Sequence, residues 1–314
     1  GFYYAGKPYS FFTPLDLLLF PGIPFTQRIR LGLFALEARS RKEWVQLDEL
    51  TAKPWLIDRL GEQAYKVIWE PLLELKFGDF HDKISAAWVW HRIHRVAKCK
   101  GRMGYLEGGT KRLLDGLRER LAEDGVRVHA EQPVTQILAE DGLRFEGHED
   151  YHCDRVVSTV PLTVLSTLLP PGYEEYAAQL NRIDYIGVVC VSFKLKKAVS
   201  KHFWYNVHDE RIPFNGIIEY TNLNPMEEHD FHIVYVPYYV ATDTARYAMS
   251  DEEAIEESWE GIKLMNPKLT DDDLVASHVA RTPYAQAICP TGFLKMMPEH
   301  KAPLEGLRLL DSTF

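Results

Sequence analysis

The segment from residue 104 to residue 137, GYLEGGTKRLLDGLRERLAEDGVRVHAEQPVTQI, constrains the fold most, because a helix signal and strand signals follow one another with sharp stops between them. Thr110 is a good N-cap for an amphipathic helix, and Gly125 permits the left-handed turn that ends it. The buried stripe predicted for this helix consists of Leu113, Leu114, Leu117 and Leu121. The segments VRVHA and VTQILAEDGLRFEG are predicted strands, with a hairpin at Asp141 and Gly142. Such alternation is typical of a nucleotide-binding α/β domain.

The phosphate loop of such a domain is missing, because no G-x-G-x-x-G occurs in the chain. The chain starts at Gly1 without an initiator methionine and ends in the apolar, strand-like run GLRLLDSTF. A buried strand seldom forms a true terminus. We therefore expect these residues to be a piece of a longer protein.

Composition excludes several classes of function. At 314 residues the chain is long enough for two domains. Its net charge of −9 argues against a nucleic-acid-binding surface, which needs clustered lysine and arginine. The four cysteines are far apart and form no C-x-x-C pair, so neither a zinc site nor a disulfide framework is predicted, and a reduced, cytoplasmic compartment is favoured. His91 and His94 have a spacing that would suit a metal, but surface histidines are the favoured interpretation.

Membrane insertion is not predicted, because no apolar run reaches the ~20 residues that a spanning helix needs. No signal peptide is recognisable either. The apolar stretch DLLLFPGIPF, residues 16–25, is short and broken by Pro21 and Pro24. Core packing is favoured for it, with peripheral contact with a membrane or the wall of an apolar cavity as alternatives.

The remaining segments predict a helical first hundred residues and a later mixed sheet. TQRIRLGLFALEARS is a predicted helix, with apolar residues at Ile29, Leu33 and Leu36. AKPWLIDRLGEQAYKVIWEPLLELKFGD predicts two helical segments, of which the second begins at Pro71, and ISAAWVWHRIHRVAK predicts another helix. After residue 162 the segments IGVVCVSFKLKK, GIIEYTNL and HIVYVPYYV are predicted strands, and SDEEAIEESWEGIKLM is a helix with the capping box Ser250–Glu253.

Four segments, in this order along the chain, resemble the flavin-dependent amine oxidase superfamily: GYLEGGTKRLLDGLRERL, VTQI, DRVVSTVP and GLRLLDSTF. That superfamily includes protoporphyrinogen oxidases, phytoene- and squalene-type desaturases and monoamine oxidases. The resemblance covers nearly the whole chain. WEPLLELKFGD and IVYVPYY are similar to the branch nearest protoporphyrinogen oxidase and the carotenoid-type desaturases.

The resemblance implies a fold that is α/β plus α+β, in which a discontinuous FAD-binding α/β domain, incomplete here, accompanies a mixed-sheet and helical substrate domain. It assigns residues 1–100 and 163–303 to the substrate domain, and residues 101–162 and 304–314 to the FAD-binding domain. The phosphate-binding unit would precede Gly1. We expect the Thr110 helix, the Val156 strand and the Leu309 strand to converge on the flavin.

Two groups of cofactor-binding residues follow from the resemblance. The position of Val134 meets the FAD adenosine through its backbone, with an ordinary core valine as the alternative. The positions of Thr159, Val160 and Pro161 end a strand close to the cofactor, with a plain strand end as the alternative.

The other cofactor candidates are an acid and a glycine pair. Asp311 matches the acid of the C-terminal flavin-binding motif, although Leu310 stands where the family often has glycine; an ordinary turn starter is the alternative. Gly108 and Gly109 precede a helix whose free amides attract anions, with a tight turn as the simpler interpretation.

The resemblance implies an FAD-dependent oxidoreductase that removes a hydride from a C–N or C–C bond of a bulky apolar or amine substrate. The substrate candidates are Glu219, Tyr235, Tyr238, Tyr239 and Trp90, all of which are also common structural residues. Strand alternation sends Tyr235 and Tyr239 to one face and Tyr238 to the other, unless Pro237 breaks the register. No catalytic residue and no metal site is predicted. The alternative function is a non-catalytic ligand-binding or scaffold protein on the same fold.

Overall fold

The computed structural model describes residues 1–11, 13–98, 104–139, 142–225 and 230–313. The chain divides into two compact units. Unit 1 contains residues 1–103 and 185–294, and unit 2 contains residues 104–184 and 295–314. The chain thus changes unit close to residues 103, 184 and 294, whereas the predicted domain boundaries were 100, 162 and 303. The cofactor and substrate roles of the domains stay predictions.

The helices and strands of the described residues come in runs, with a mainly helical stretch between β2 and β3 and a mainly stranded stretch from β7 to β10. The helices are α1 (Pro14–Leu19), α2 (Phe25–Ser40), α3 (Ala52–Leu60), α4 (Glu62–Ala64), α5 (Glu70–Phe77), α6 (Ala86–Lys98), α7 (Gly109–Glu123), α8 (Leu162–Leu168), α9 (Glu174–Leu180), α10 (Ala245–Ala248), α11 (Asp251–Met265) and α12 (Phe293–Met296). The strands are β1 (Phe2–Tyr4), β2 (Lys7–Tyr9), β3 (Val134–Leu138), β4 (Gly142–Phe145), β5 (Tyr151–His152), β6 (Val156–Ser158), β7 (Tyr185–Leu195), β8 (Trp204–His208), β9 (Gly216–Glu219), β10 (His232–Val240), β11 (Leu274–Ala287) and β12 (Leu307–Leu309).

Unit 1 is built on a seven-stranded sheet with the strand order β11-β7-β10-β9-β8-β1-β2. Its neighbouring strands are antiparallel, except that β1 runs parallel to β8. β7 and β10 are long because apolar side chains recur every second residue along them. β11 was not predicted, because most of its side chains are exposed and its sequence has no apolar alternation.

The first face of this sheet forms a core under α11. Val191, Val234 and Tyr238 from the strands pack in one cluster with Trp259 and Ile262 of the helix. The predicted capping box of α11 is confirmed: the Ser250 side chain accepts from the backbone amide of Glu253, and the Glu253 carboxylate accepts from the amide of Ser250. A second cluster of unit 1 is mostly helical and joins α2, α3, α5 and α6.

The predicted helix over TQRIRLGLFALEARS is confirmed as α2, but its buried face is not the one marked by Leu33 and Leu36. These two leucines are 61% and 63% exposed, whereas Leu31, Phe34 and Ala38 are buried. The helix carries two apolar stripes at similar spacing, so periodicity alone does not choose between them. The buried stripe is the one that packs against α3 and α6.

Unit 2 contains the three-stranded antiparallel sheet β3-β4-β5 and the parallel pair β6-β12. The predicted hairpin is confirmed by the pairing of Leu138 with Gly142, although Asp141 lies outside the described residues. The segment VRVHA is not a strand; its valines, Val126 and Val128, are 48% and 63% exposed and pair with no described strand. Apolar alternation without a partner strand is insufficient to form a ladder.

The helix predicted after Thr110 exists as α7, with two corrections. It begins at Gly109, and Gly108 rather than Thr110 is the N-cap, because Gly108 takes the left-handed conformation that starts the turn earlier. Its leucine stripe is not buried: Leu113, Leu114, Leu117 and Leu121 are 38% to 55% exposed. No side chain of α7 is buried by the described residues.

The apolar stretch at residues 16–25 is divided between core and surface. Phe20 and Ile23 are buried in the helical cluster, whereas Leu19 and Phe25 are 69% and 59% exposed. Core packing is therefore correct for only part of the stretch. In the described part of the chain, no helix has the length and apolar character needed to cross a membrane.

We predict that two identical substitutions in α2 differ in their effect on stability. Leu31→Ala should lower the free energy of unfolding by ~2–5 kcal/mol, because it opens a cavity in the core. Leu33→Ala should change it by no more than ~0.5 kcal/mol, because its side chain is exposed. Tryptophan fluorescence during chemical denaturation measures unit 1, since all seven tryptophans belong to residues 1–103 and 185–294. A larger loss for Leu33→Ala would contradict the packing of this helix.

Candidate functional site

The carboxyl ends of two neighbouring parallel strands bring several predicted cofactor residues together in unit 2. Ser158 of β6 lies opposite Leu309 of β12. The amide of Leu310 continues the pairing and donates to the carbonyl of Ser158 at 2.9 Å. Residues 159–161 and Asp311 therefore follow directly on adjacent strand ends. In open parallel sheets, ligands bind at this edge.

The loop after β6 is fixed at one end by a helix. Pro161 directly precedes α8, and its carbonyl accepts from the amides of Val164 and Leu165, each at 2.9 Å. Thr159 is exposed, and Val160 is half-buried. The loop is therefore held in place at Pro161 and accessible at Thr159. Its backbone groups are in a suitable position to contact a ligand.

Asp311 fixes the turn that follows β12. Its carboxylate accepts from the backbone amide of Thr313 and from the Thr313 hydroxyl, both at 2.9 Å. These bonds correspond to the turn-starting role that the sequence left as an alternative. The cofactor role of Asp311 stays a prediction. The pairing of β6 with β12 puts Asp311 and the loop after β6 at the same edge of the sheet.

Val134 and the two glycines lie elsewhere in unit 2. Val134 begins β3 opposite Phe145, is half-buried, and its strand lies beside α8. Gly108 and Gly109 have φ angles of +80° and +71°, a region in which a residue with a side chain is strained. The structure therefore supplies a conformational reason for both glycines. Because no side chain caps α7, its first amides can still face an anion.

The predicted alternation along β10 is confirmed in unit 1. Tyr238 points into the core under α11, where its hydroxyl lies 2.9 Å from the hydroxyl of Ser258. Burial raises the pKa of Tyr238 to about 12. Tyr239 instead packs against the helical cluster on the other side of the sheet, and Tyr235 shares that face by alternation. Pro237 does not break the register, since it pairs opposite Cys190.

Glu219, a predicted substrate residue, is fully buried and hydrogen-bonded within unit 1. Its carboxylate accepts from the amides of Val199 at 2.9 Å and Ser200 at 2.8 Å, and from the Ser200 hydroxyl at 2.6 Å. Burial raises the pKa of Glu219, and these hydrogen bonds oppose the shift. The observed contacts hold the loop at residues 199–200.

Trp90, the other predicted substrate residue, lies in the helical cluster and is 3% exposed. Its ring stacks on Trp44 with 5.6 Å between centroids, and on His94 with 4.6 Å. Nδ1 of His94 lies 2.7 Å from the carbonyl of Ala38. Among the described residues, no group of histidine, cysteine and acidic side chains is arranged to hold a metal ion.

A buried lysine lies beside Tyr239 and was not predicted from the sequence. Nζ of Lys76 lies 4.0 Å from the ring centroid of Tyr239 and 5.6 Å from that of Trp204. Lys76 is only 6% exposed, and burial, with a smaller contribution from Arg92, lowers its pKa to about 8. The available signal was its spacing from Leu73, which places Lys76 on an apolar face of α5.

The Lys76 ammonium gives this face of the sheet its chemical character. A lysine whose pKa approaches neutrality exchanges a proton readily, and as a cation it attracts an anion in an environment with little water. Tyr239 and Trp204 surround it with apolar area. This combination of a perturbed ionisable group and aromatic rings is typical of a ligand-binding site.

A separate cavity of about 790 Å³ in unit 1 contains none of the predicted site residues. Charged groups of both signs line it, among them Lys66, Glu74, Asp209 and Arg211. Arg211 is already paired with Asp209 at 2.6 Å. Because Arg211 and Lys66 are already paired, with Asp209 and Glu62, the volume of this cavity does not by itself make it the functional site.

Comparison with known proteins places the chain in a family. Residues 1–309 match the model of the family described as flavin containing amine oxidoreductase. A search of curated proteins found no matching sequence.

Solved structures share the fold. An oxidoreductase from Methanosarcina mazei is 16% identical with a TM-score of 0.71, and the match covers 93% of this chain and 68% of that one. Wild-type putrescine oxidase bound to putrescine is 16% identical with a TM-score of 0.67, covering 97% and 72%. Cyclohexylamine oxidase from Brevibacterium oxydans is 14% identical with a TM-score of 0.64, covering 94% and 71%. The predicted combination of helices and mixed sheet is thereby confirmed. The chain spans about two thirds of the length of such structures.

We predict that Lys76 makes the stability of unit 1 depend on pH. Between its pKa of about 8 in the folded protein and its ordinary value of 10.5, the unfolded chain binds the proton that the folded chain has released. Raising the pH through this window therefore favours folding. Relative to Lys76→Met, the free energy of unfolding of the wild type should rise by roughly 2–3 kcal/mol across the window.

Chemical denaturation at several pH values, followed by tryptophan fluorescence, measures this difference. Lys66→Met is the matched control, because the side chain of Lys66 is 55% exposed and paired with Glu62. A difference between wild type and Lys76→Met that stays constant with pH would show that the ammonium is not desolvated.

Proposed function

The chain belongs to the family of flavin-containing amine oxidoreductases, and from this premise we propose that the protein is an FAD-dependent oxidoreductase. It oxidises a C–N or C–C bond of a bulky apolar or amine substrate by removing a hydride. The observation that carries this proposal is the family match over residues 1–309. Among the solved structures with this fold, putrescine oxidase and cyclohexylamine oxidase are named as oxidases of amines.

The residues of unit 2 fit an FAD. Residues 159–161 and Asp311 follow the carboxyl ends of β6 and β12, the edge at which parallel sheets hold ligands. Gly108 is the N-cap and Gly109 the first residue of α7, whose first amides lack a side-chain cap and suit a negatively charged group. Val134 would contribute backbone groups at the start of β3. When bound, the flavin supplies the capacity to accept a hydride, and the protein supplies placement and environment.

The residues of unit 1 fit an apolar reactant. Tyr235 and Tyr239 present aromatic area on the face of the sheet that does not pack under α11, and Trp204 adds to it. Such rings exclude water from a bound substrate and orient it. Lys76 holds or releases a proton at its ammonium in the same place, because its pKa is about 8. Nucleic acid is not an expected partner of a chain with a net charge of −9.

We predict that the protein expressed from the intact gene is yellow and shows the visible absorption of bound flavin. An apolar or amine substrate should bleach that absorption in the absence of oxygen. A colourless, folded protein that ignores added FAD would refute the proposal. Flavin binding without bleaching by any substrate would favour the non-catalytic alternative.

Asp311→Ala should lower the affinity of the intact protein for FAD roughly tenfold, because a hydrogen bond to a charged group is lost. Asp272→Ala is the matched control, since Asp272 is an exposed aspartate in unit 1. Fluorescence titration of the flavin-stripped protein measures both. Equal affinities of the two variants would remove Asp311 from the cofactor site.

A chain limited to residues 1–314 should bind FAD weakly, because it contains no G-x-G-x-x-G to supply amides to the pyrophosphate. The test is calorimetric titration of purified chain with FAD. Tight, stoichiometric binding would show that the pyrophosphate is held in another way.

A further inference from the structure

Lys76 is a buried cation for which the described residues supply no anionic partner. Only 6% of the residue is exposed, and the contacts of its ammonium are the rings of Tyr239 and Trp204. Among the described residues, Lys76 forms no ion pair and no hydrogen bond. A desolvated ammonium in this state is destabilising unless a ligand or solvent compensates it.

A second cation, Arg92, lies close enough to Lys76 to affect its pKa. Arg92 of α6 lies with its guanidinium 5.3 Å from the ring centroid of Trp88, and it too has no ion pair in the described part of the chain. Burial and the charge of Arg95 lower the pKa of Arg92. The positive charge of Arg92 in turn adds to the burial that lowers the pKa of Lys76. Two like charges in one poorly hydrated place raise the affinity of that place for an anion.

The neighbouring acidic groups do not supply the missing negative charge. Burial raises the pKa of Tyr239, so its phenol stays neutral at physiological pH. Burial also raises the pKa of Cys190, which lies opposite Pro237 on β7, to about 11, so its thiol stays protonated. Neither Tyr239 nor Cys190 therefore offers a negative charge to the two cations.

We propose that Lys76 and Arg92 form a binding site for the carboxylate of a small ligand with an aromatic or apolar body. The ammonium and guanidinium hold the carboxylate, and Tyr239, Trp88 and Trp204 contact the body. Of the two substrate classes proposed above, the site favours an apolar body that carries a carboxylate and disfavours a cationic amine, since the amine would add a further positive charge. The identification of this ligand as the substrate rests on the oxidoreductase function proposed above. The existence of an anion-binding site does not depend on that function.

The experiment compares three probes with the same ring and different charge. The intact protein is titrated calorimetrically at neutral pH with benzoate, benzamide and benzylamine. Benzoate should bind at least roughly tenfold more tightly than benzamide, as expected for a charge-assisted hydrogen bond, and benzylamine should bind more weakly than either. Equal affinity for benzoate and benzamide would overturn the proposal without any variant.

Two substitutions localise the preference. Lys76→Met should reduce benzoate affinity roughly tenfold and leave benzamide affinity unchanged, whereas Lys66→Met, at an exposed and paired lysine, should change neither. Lys76→Arg should retain the preference, because it keeps the charge. If Lys76→Met does not fold, Arg92→Met carries the same expectation. A folded Lys76→Met with undiminished preference would place the anion elsewhere.

The outcomes separate the two proposals. A protein that contains flavin but does not prefer benzoate would refute the anion site and leave the oxidoreductase function. A protein that prefers benzoate but never binds flavin would confirm the anion site and refute its assignment to an oxidoreductase substrate.

Discussion

The account of unit 2 depends on one interaction, the parallel pairing of β6 with β12. The pairing joins Ser158 to Leu309 across a sequence separation that contains most of the unit 1 sheet. It converts two unremarkable segment ends, residues 159–161 and Asp311, into neighbours at one sheet edge. Without it, Asp311 would only start a turn with Thr313, and no group of residues in unit 2 would resemble a cofactor site.

The two faces of the unit 1 sheet differ in how their polar groups are paired. The face under α11 is a closed core in which even a polar group such as the Tyr238 hydroxyl finds a partner in Ser258. The other face carries Tyr239, Trp204 and the unpaired Lys76 ammonium. Buried charges are normally paired, and Lys76 has no ion pair among the described residues, which is why we propose a ligand as its partner. This contrast directs the search for a substrate to one face.

The sequence predicted long, strongly periodic elements well. β10 was correct from its alternation, and the Ser250–Glu253 capping box marked the start of α11. The faces of helices were less predictable, because α2 and α7 each carry apolar stripes that spacing cannot assign to core or surface. β11 could not be predicted from apolar alternation, since its side chains are mainly exposed.

The candidate site residues were predictable only where their role depends on backbone position rather than on side-chain contacts. The strand end at Pro161 and the acid at Asp311 were found because their segments carry the family resemblance. Lys76 and Arg92 were not, because a lysine in an apolar helix is usually a surface residue whose stem covers its neighbours. Only coordinates show that neither cation forms an ion pair with an acidic residue in the described ranges.

Hydrogen–deuterium exchange of the intact protein, with and without its flavin, tests most directly whether the edge formed by β6 and β12 holds the cofactor. Slower exchange is expected at residues 159–160 and 310–313 when FAD is bound, with no change at residues 126–130. Protection confined to other segments, with exchange at this edge unaffected, would contradict this expectation.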